Sequence, residues 1–126
     1  MTDLSVIVVC YRGWERLTLC LDSLSAFRNE RHRKEVIVVD NNSGDGVIGE
    51  FEKKYPGFRF IKNSVNGGYA NGNNLGSRFA SGEFLLILNP DTIVSENAVD
   101  DLLSAARSNP EYSVISCRQV SRNGKE

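Results

Sequence analysis

The sequence lacks the features that mark several large classes of protein. Its 126 residues contain no apolar run approaching the roughly 20 residues that a membrane-spanning helix needs. The amino terminus has neither the basic stretch nor the apolar core of a signal peptide. A net charge of −1 gives no overall field that would attract nucleic acid or an anionic membrane. We therefore expect a cytoplasmic protein with no nucleic-acid partner.

Cysteine and histidine are scarce. The three cysteines, Cys10, Cys20 and Cys117, are an odd number and lack the spacing of a metal site. Each lies in an apolar segment, so we expect three buried free thiols. The single histidine, His32, lies in a charged stretch, where we expect solvent exposure and no functional role.

Two common phosphate-binding patterns are also absent. The turn over residues 11–15 (YRGWE) lacks the glycine triplet that lets a backbone approach a pyrophosphate, and no Gly-Lys-Ser/Thr sequence occurs. Glycines are concentrated instead in residues 66–76 (NGGYANGNNLG). We expect most of them to allow close packing of a helix rather than to contact a ligand.

Apolar runs and helical spacing predict alternating strands and helices. Strands are predicted over residues 4–10, 35–39, 58–61 and 84–88, with a fifth beginning over 112–120. Helices are predicted from Trp14, before Tyr55, over 69–80 and after Ser95. The charged residues 28–35 are predicted to form an exposed connection.

This alternation indicates one α/β domain, Rossmann-like, with a mostly parallel sheet and helices on both faces. Right-handed crossovers favour the strand order 3-2-1-4. The carboxyl ends of parallel strands lie at one edge of such a sheet, here called the carboxyl rim, where open α/β sheets bind ligands. Three polar segments should therefore meet there: residues 10–12, 40–43 and 89–91.

Residues 88–92 (LNPDT) are the most informative of these segments. They place Asp91 just past a buried strand, in a turn that Pro90 stiffens. One interpretation is a carboxylate that holds a ligand at the rim. The other interpretation is that Asp91 is only a turn residue. Turn and helix-cap chemistry would likewise explain residues 40–43 without any ligand.

Several ordered motifs, taken together, resemble a known family. They are residues 5–9 (SVIVV), 38–45 (VVDNNSGD), 66–76 (NGGYANGNNLG), 80–83 (ASGE) and 88–92 (LNPDT). In this order and spacing the chain resembles the family 2 glycosyltransferases with a GT-A fold, from residue 4 to about 120. It is most similar to the rhamnosyltransferase-like members, which often carry Asn-Pro-Asp where others have Asp-x-Asp.

The resemblance implies a binding site for a nucleoside diphosphate sugar, either a UDP- or a dTDP-sugar. Asp40 would accept a hydrogen bond from the ring imide that uracil and thymine share. Asp91 would coordinate Mg²⁺ or Mn²⁺, hard cations that prefer oxygen ligands. The implied nucleotide-binding residues are Cys10, Tyr11, Arg12, Asp40, Asn42 and Ser43. The residues implied near the sugar and diphosphate are Asn66, Gly67, Gly68, Asn73 and Asn89, the last of which removes one acidic charge.

The resemblance also implies inverting transfer to a glycan or lipid-linked acceptor in polysaccharide biosynthesis, which requires a catalytic base. The carboxylates after Asp91 are Glu96, Asp100, Asp101, Glu111 and Glu126. None lies on a suitable element, so no catalytic residue is assigned. Asn123-Gly124 predicts a hairpin whose second strand is absent. We therefore expect residues 1–126 to be a single nucleotide-sugar-binding domain, truncated before an acceptor-binding half and inactive alone.

Two other functions stay open at this stage. One is a non-catalytic nucleotide-sugar-binding module, which the absent base favours. The other is a sugar-phosphate nucleotidyltransferase, although residues 11–14 lack the basic glycine-rich loop that this class requires. The family's usual acceptors imply peripheral association with the inner face of the membrane. An uncovered sheet edge predicts a homodimer.

Overall fold

The computed structural model describes residues 1–121, 123 and 124. Four strands alternate with four helices among them. In chain order the elements are β1 (Leu4–Cys10), α1 (Trp14–Ser25), β2 (Lys34–Asp40), α2 (Ile48–Lys54), β3 (Arg59–Lys62), α3 (Tyr69–Ser77), β4 (Phe84–Leu88) and α4 (Glu96–Ser108).

The four strands form one parallel sheet in the order β3-β2-β1-β4, which confirms the predicted fold and strand order. The register places Cys10 of β1 beside Asp40 of β2, and Val8 beside Leu88 of β4. Because all four strands run the same way, the segments after β1, β2 and β4 leave the sheet at the carboxyl rim.

Alternating residues of the central strands build two apolar layers, as the two-residue period of a strand requires. Val6 and Val8 of β1 pack with Val38 of β2 in a cluster that includes α1, α2 and α4. Ile7 and Val9 point to the opposite face, in a smaller cluster with Leu75 of α3. Helices therefore cover both faces, three on one and one on the other.

Two glycines bring α3 unusually close to the sheet. A Cβ on Gly72 would lie 2.6 Å from Val9 Cγ1, and a Cβ on Gly76 would lie 2.7 Å from Ile7 Cγ2. Real Cβ atoms do not approach other heavy atoms so closely, so any larger residue would push α3 away. These two glycines of the 66–76 segment serve packing, as the sequence suggested.

The amino end of the sheet is held by ion pairs. The Lys34 ammonium, with a side chain only 1% exposed, lies 3.1 Å from Glu96 Oε1 and 2.8 Å from Asp100 Oδ1. Glu96 also accepts hydrogen bonds from the backbone N–H groups of Arg28 and Asn29, each at 2.7 Å. The prediction that residues 28–35 are exposed is therefore wrong for Lys34, because two carboxylates of α4 replace water around its charge.

A second ion-pair cluster lies at the same end. Arg107 of α4 donates to Asp3 Oδ1 at 2.6 Å and to Glu83 Oε2 at 2.8 Å. His32 Nδ1 lies 3.3 Å from the same guanidinium. The cluster joins the amino terminus, the α1–β2 and α3–β4 connections and α4, so His32 belongs to a structural contact.

Two predictions about the carboxyl-terminal segment are wrong. No strand forms over residues 112–120, since these residues make no ladder of hydrogen bonds with a neighbouring strand, and Val114 is 86% exposed. Cys117 is consequently exposed, whereas Cys10 and Cys20 are buried as expected. The predicted hairpin over residues 122–125 includes residues 122 and 125, which lie outside the described residues.

One edge of the sheet is uncovered in the described structure. β4 pairs only with β1, and Leu85 and Ile87 on its α3-facing side are 49% and 46% exposed. The prediction that residues 84–88 form a buried strand is therefore wrong for this face, because no described element covers it. α3 contacts β1 and β2 but does not extend over β4. None of the described helices combines the length and apolar character needed to cross a membrane.

Candidate functional site

The carboxyl rim contains a cavity between the turns that follow β1 and β4. This rim cavity has a volume of about 220 Å³. It is lined by Tyr11, Arg12, Gly13, Arg16, Asn89, Pro90 and Asp91. Sequence-predicted residues from two distant parts of the chain are thus brought together here, along with Arg16, which the sequence analysis did not identify.

Asp91 is presented by a tight turn. Thr92 N–H donates to Asn89 O at 3.1 Å, which places Pro90 and Asp91 at the two central positions of the turn. The Asp91 side chain makes no hydrogen bond or ion pair with any described residue. The carboxylate is therefore available to a ligand at the cavity wall.

Asp40 lies at the end of β2 and is 5% exposed. Its Oδ1 accepts hydrogen bonds from both the backbone N–H and the hydroxyl of Ser43. The Ser43 hydroxyl oxygen in turn accepts the Arg12 backbone N–H at 2.8 Å. Ser43 thus ties the turn after β1 to the end of β2, while Asp40 Oδ2 has no partner among the described residues.

The turn after β1 adopts unusual backbone angles. Arg12 has φ 53° and Gly13 has φ 65°, so two successive residues are left-handed. This conformation is costly for a residue with a Cβ, and the hydrogen bonds from Arg12 to Ser43 hold it in place. Asn42, at φ 62°, is also left-handed, which asparagine tolerates better than most residues.

Cys10 contributes to the rim through its backbone. Its carbonyl accepts the Asn41 N–H at 2.8 Å, which continues the β1–β2 pairing past the strand ends. Burial and, to a lesser extent, the nearby Asp40 carboxylate together raise the pKa of the Cys10 thiol to about 12. The thiol is therefore neutral and unsuited to nucleophilic chemistry.

A network of asparagine amides orders the glycine-rich loop before α3. Asn41 Nδ2 donates to Gly68 O at 2.9 Å and to Asn66 Oδ1 at 3.2 Å, and Asn66 Oδ1 also accepts the Gly68 N–H. Asn63 links Asn41 to Asn71 on the other side. The loop residues predicted to lie near the sugar, Asn66, Gly67 and Gly68, are thus held beside the end of β2. Asn41, which lies in the predicted rim segment 40–43 but was assigned no role of its own, therefore positions this loop.

Asn73 of α3 is 9% exposed. Its Nδ2 donates to Tyr69 O at 3.1 Å, but its buried Oδ1 has no hydrogen-bond partner among the described residues. An unpaired buried carbonyl costs free energy, so such an atom is a reasonable place to expect a ligand's donor.

The chemistry of the rim cavity fits a hard divalent cation that shares its coordination with a substrate. The described residues contain no cluster of three His, Cys, Asp or Glu side chains that could hold a metal alone. Asp91 supplies one carboxylate and Asn89 one amide oxygen, both on the cavity wall. Magnesium and manganese commonly bind with few protein ligands when substrate phosphates complete the shell.

A second cavity, of about 300 Å³, lies between α1 and α2. Trp14 lines it, packs against Phe51 with the two rings tilted by 35° and their centroids 5.4 Å apart, and donates its indole N–H to Asp45 Oδ2 at 2.8 Å. This hydrogen bond is the main reason that the pKa of Asp45 is lowered. The Trp14 contacts therefore serve packing next to the rim.

The carboxylates that follow Asp91 are used elsewhere. Glu96 and Asp100 pair with Lys34 at the amino end of the sheet, and Asp101 pairs with Arg31 at 3.3 Å. Glu111 is exposed beyond α4, and residue 126 lies outside the described residues. Among residues 1–121, 123 and 124, none of these carboxylates lines the rim cavity.

The chain is similar to known proteins over nearly its whole length. The model of Glycosyl transferase family 2 matches residues 5–126. The poly-beta-1,6-N-acetyl-D-glucosamine synthase of Staphylococcus epidermidis is 29% identical over 123 residues, which cover 95% of this chain and 29% of the synthase.

Solved structures give the same result at the level of the fold. S. aureus TarS 1-349 in complex with UDP-GlcNAc superposes with a TM-score of 0.70 at 25% identity, over 94% of this chain and 37% of that TarS fragment. The mannosyltransferase PcManGT of Pyrobaculum calidifontis, in complex with GDP-Man and Mn²⁺, superposes with a TM-score of 0.73 at 25% identity, over 93% of this chain and 35% of that protein. The chain spans 29% of the synthase, 23% of the longer TarS chain that has also been solved, and 35% of the mannosyltransferase chain.

Proposed function

The chain belongs to glycosyl transferase family 2, and on that premise we propose that it binds a nucleoside diphosphate sugar at the carboxyl rim together with a divalent cation. One observation carries the proposal. Two aspartates, Asp40 and Asp91, reach the same rim from different strands, and each has at least one carboxylate oxygen without a partner among the described residues.

Asp40 suits recognition of the base. Ser43 holds Oδ1, which orients the carboxylate and leaves Oδ2 to accept a hydrogen bond from a ring imide N–H. Uracil and thymine both carry this group. The UDP-GlcNAc complex of S. aureus TarS supports a UDP-sugar as the first donor to test, and the GDP-Man complex of PcManGT makes GDP the necessary comparison.

Asp91, with Asn89 beside it, would hold Mg²⁺ or Mn²⁺, and the Mn²⁺ in the PcManGT complex supports the choice of a divalent metal. When bound, such a cation offsets the negative charge that develops on a departing diphosphate. The chain's own contribution is to position the donor. Asp40 would hold the base, and the turn of residues 89–92 presents the Asp91 carboxylate. The loop before α3 would form the wall near the ribose and the sugar. The acceptor that we propose is a glycan or a lipid-linked glycan.

A second candidate function is binding of a nucleotide sugar without transfer. It is favoured by the positions of Glu96, Asp100 and Asp101, which are paired with cations away from the rim. We expect residues 1–126 alone to release no UDP from a UDP-sugar in the presence of an acceptor, because no described carboxylate is placed to take the acceptor's proton.

Isothermal titration calorimetry tests the proposal with UDP, dTDP and GDP, each with and without Mn²⁺. We expect Mn²⁺-dependent binding of at least one nucleotide and a loss of about tenfold or more in affinity for Asp91→Asn, since a charge-assisted contact contributes on the order of 1.5–3 kcal/mol. Asp101→Asn is the matched control, because Asp101 is exposed and lies away from the rim. Failure of the unmodified chain to bind any of the three nucleotides with Mn²⁺ would overturn the proposal.

A further inference from the structure

The rim cavity contains two positive charges that the metal site does not use. Arg12 and Arg16 line it together with Asp91. Neither guanidinium forms an ion pair with Asp91, and Asn89 adds no charge. The charged groups on the cavity wall are therefore two cations and one anion.

The two arginines differ in how firmly they are held. Arg12 donates from Nε to Ser43 O at 3.3 Å, and its guanidinium lies 5.3 Å from the centre of the Tyr11 ring. These contacts fix the side chain but leave its terminal N–H groups available. Arg16 makes no hydrogen bond or ion pair with any described residue, so its whole guanidinium is available at the cavity wall.

The start of α1 adds to the positive potential. Gly13 caps this twelve-residue helix and has no side chain that could accept a hydrogen bond. The backbone N–H groups of the first turn therefore have no side-chain acceptor among the described residues, and they add positive potential at this end of the helix. The cavity, at about 220 Å³, is smaller than the roughly 300–1,000 Å³ of complete small-molecule sites. It therefore suits one compact anionic group of a larger ligand.

We propose that Arg16, assisted by Arg12, binds the diphosphate of the nucleotide donor from the α1 wall of the rim cavity. This inference rests on the proposed function, because it assigns part of the same ligand. A guanidinium matches two phosphate oxygens at once, which a water molecule or an amide does not. Asp91, in the turn after β4, would thus contact the diphosphate through a bound metal cation. Arg12 and Arg16, on the opposite side of the cavity at the start of α1, would contact it directly.

The test uses a probe that needs no nucleoside. Calorimetry with inorganic pyrophosphate in the absence of metal measures anion binding without a bridging cation, and UDP with Mn²⁺ measures the complete site. We expect Arg16→Gln to lower the affinity for both probes about tenfold and to leave the affinity for uridine unchanged. Arg28→Gln is the matched control, since it removes the same charge from an exposed position beyond α1. Arg16→Lys keeps the charge but loses the paired donors, so we expect an intermediate affinity.

Asp91→Asn gives a second, independent readout with opposite signs. Without metal it should raise the affinity for pyrophosphate, because it removes a like charge from the cavity. With Mn²⁺ it should lower the affinity for UDP. Circular dichroism spectra and thermal midpoints matching those of the unmodified chain establish that each variant is folded.

The outcomes separate this inference from the proposed function. Equal pyrophosphate affinity for the unmodified chain and Arg16→Gln overturns the arginine subsite, even if UDP binds through Asp91. Arg16-dependent pyrophosphate binding without any nucleotide binding overturns the proposed function but leaves the anion subsite standing. Simultaneous binding of pyrophosphate and UDP overturns the assignment of the subsite to the donor's diphosphate, and mutual competition supports it.

Discussion

Single side chains at the rim serve the fold with one atom and leave another atom free. Asp40 gives Oδ1 to Ser43 and leaves Oδ2 without a partner. Asn73 gives Nδ2 to Tyr69 and leaves Oδ1 buried and unpaired. The protein holds such side chains in a fixed orientation before a ligand arrives, so less side-chain conformational entropy is lost when the ligand binds.

Thiol reactivity provides a prediction at the scale of the residue. Burial raises the pKa of Cys10 and of Cys20 to about 12, so neither forms an appreciable thiolate at neutral pH, whereas Cys117 is exposed. We expect one thiol equivalent to react rapidly with a disulfide reagent at pH 8 in the native chain, and all three in denaturant. Cys117→Ser serves as the control and should abolish the rapid phase; rapid reaction of two or three native thiols would contradict the structure.

At this scale the sequence located the candidate site residues through strand ends and turn chemistry. Asp40 ends β2 and Asp91 lies in the turn after β4, and parallel topology alone places both at one rim. Arg16 was missed because its position depends on how α1 leaves the rim, although it follows Arg12 by four residues. Asn73 carries no pattern in the sequence that reveals an unpaired oxygen.

The junction of β2 with α4 shows how a charged residue can stabilise an element boundary. Lys34 opens β2 and is buried between Glu96 and Asp100 of α4. Glu96 also accepts the backbone N–H groups of Arg28 and Asn29, near the start of the α1–β2 connection. The sequence predicted each element, but a pairing across 62 residues leaves no local pattern, so residues 28–35 were predicted to be exposed throughout.

This junction predicts a pH-dependent stability. Burial raises the pKa of Glu96, but hydrogen bonds from Arg28, Asn29 and Lys34 lower it more, so the net shift is below the ordinary value. The stabilisation is therefore present above about pH 4.3, the unfolded pKa, and is lost as the pH falls through the folded pKa. We expect Glu96→Gln to lower the free energy of unfolding by about 1–2 kcal/mol at pH 7 and by much less near pH 3.

Urea denaturation at both pH values measures this difference. Glu111→Gln is the matched control, because Glu111 is exposed and its side chain makes no hydrogen bond or ion pair with a described residue. Equal destabilisation by Glu96→Gln at pH 7 and pH 3 would mean that the hydrogen bonds do not depend on the charge.

At the scale of the whole molecule, the uncovered β4 edge predicts self-association. β4 (FLLIL) has no charged residue or proline to discourage pairing with another strand, and Leu85 and Ile87 are about half exposed. We expect sedimentation velocity to detect a concentration-dependent dimer that Ile87→Lys weakens. Leu19→Lys is the control, because Leu19 is 49% exposed on α1, away from this edge. A monomer at every concentration would contradict the prediction.

The strand order and both layers of the whole molecule were predictable, because four apolar runs alternate with four helical segments. The irregular conformation of residues 112–120 was not predictable from the sequence. Their apolar residues suggested a strand, but the described structure offers no neighbouring strand with which they could pair. A strand depends on a neighbour as much as on its own residues, and this dependence is invisible in a local pattern.

The two ends of the sheet have a consequence for how such a molecule can diversify. Lys34, Glu96 and Arg107 hold the amino end, while Asp40, Arg16 and Asp91 lie at the carboxyl rim, and no hydrogen bond or ion pair between described residues joins the two sets. Substitutions in groups that share no partners have nearly additive effects on stability. During evolution, substitutions at the carboxyl rim can therefore change which ligand is bound while the ion pairs at the amino end continue to stabilise the same fold.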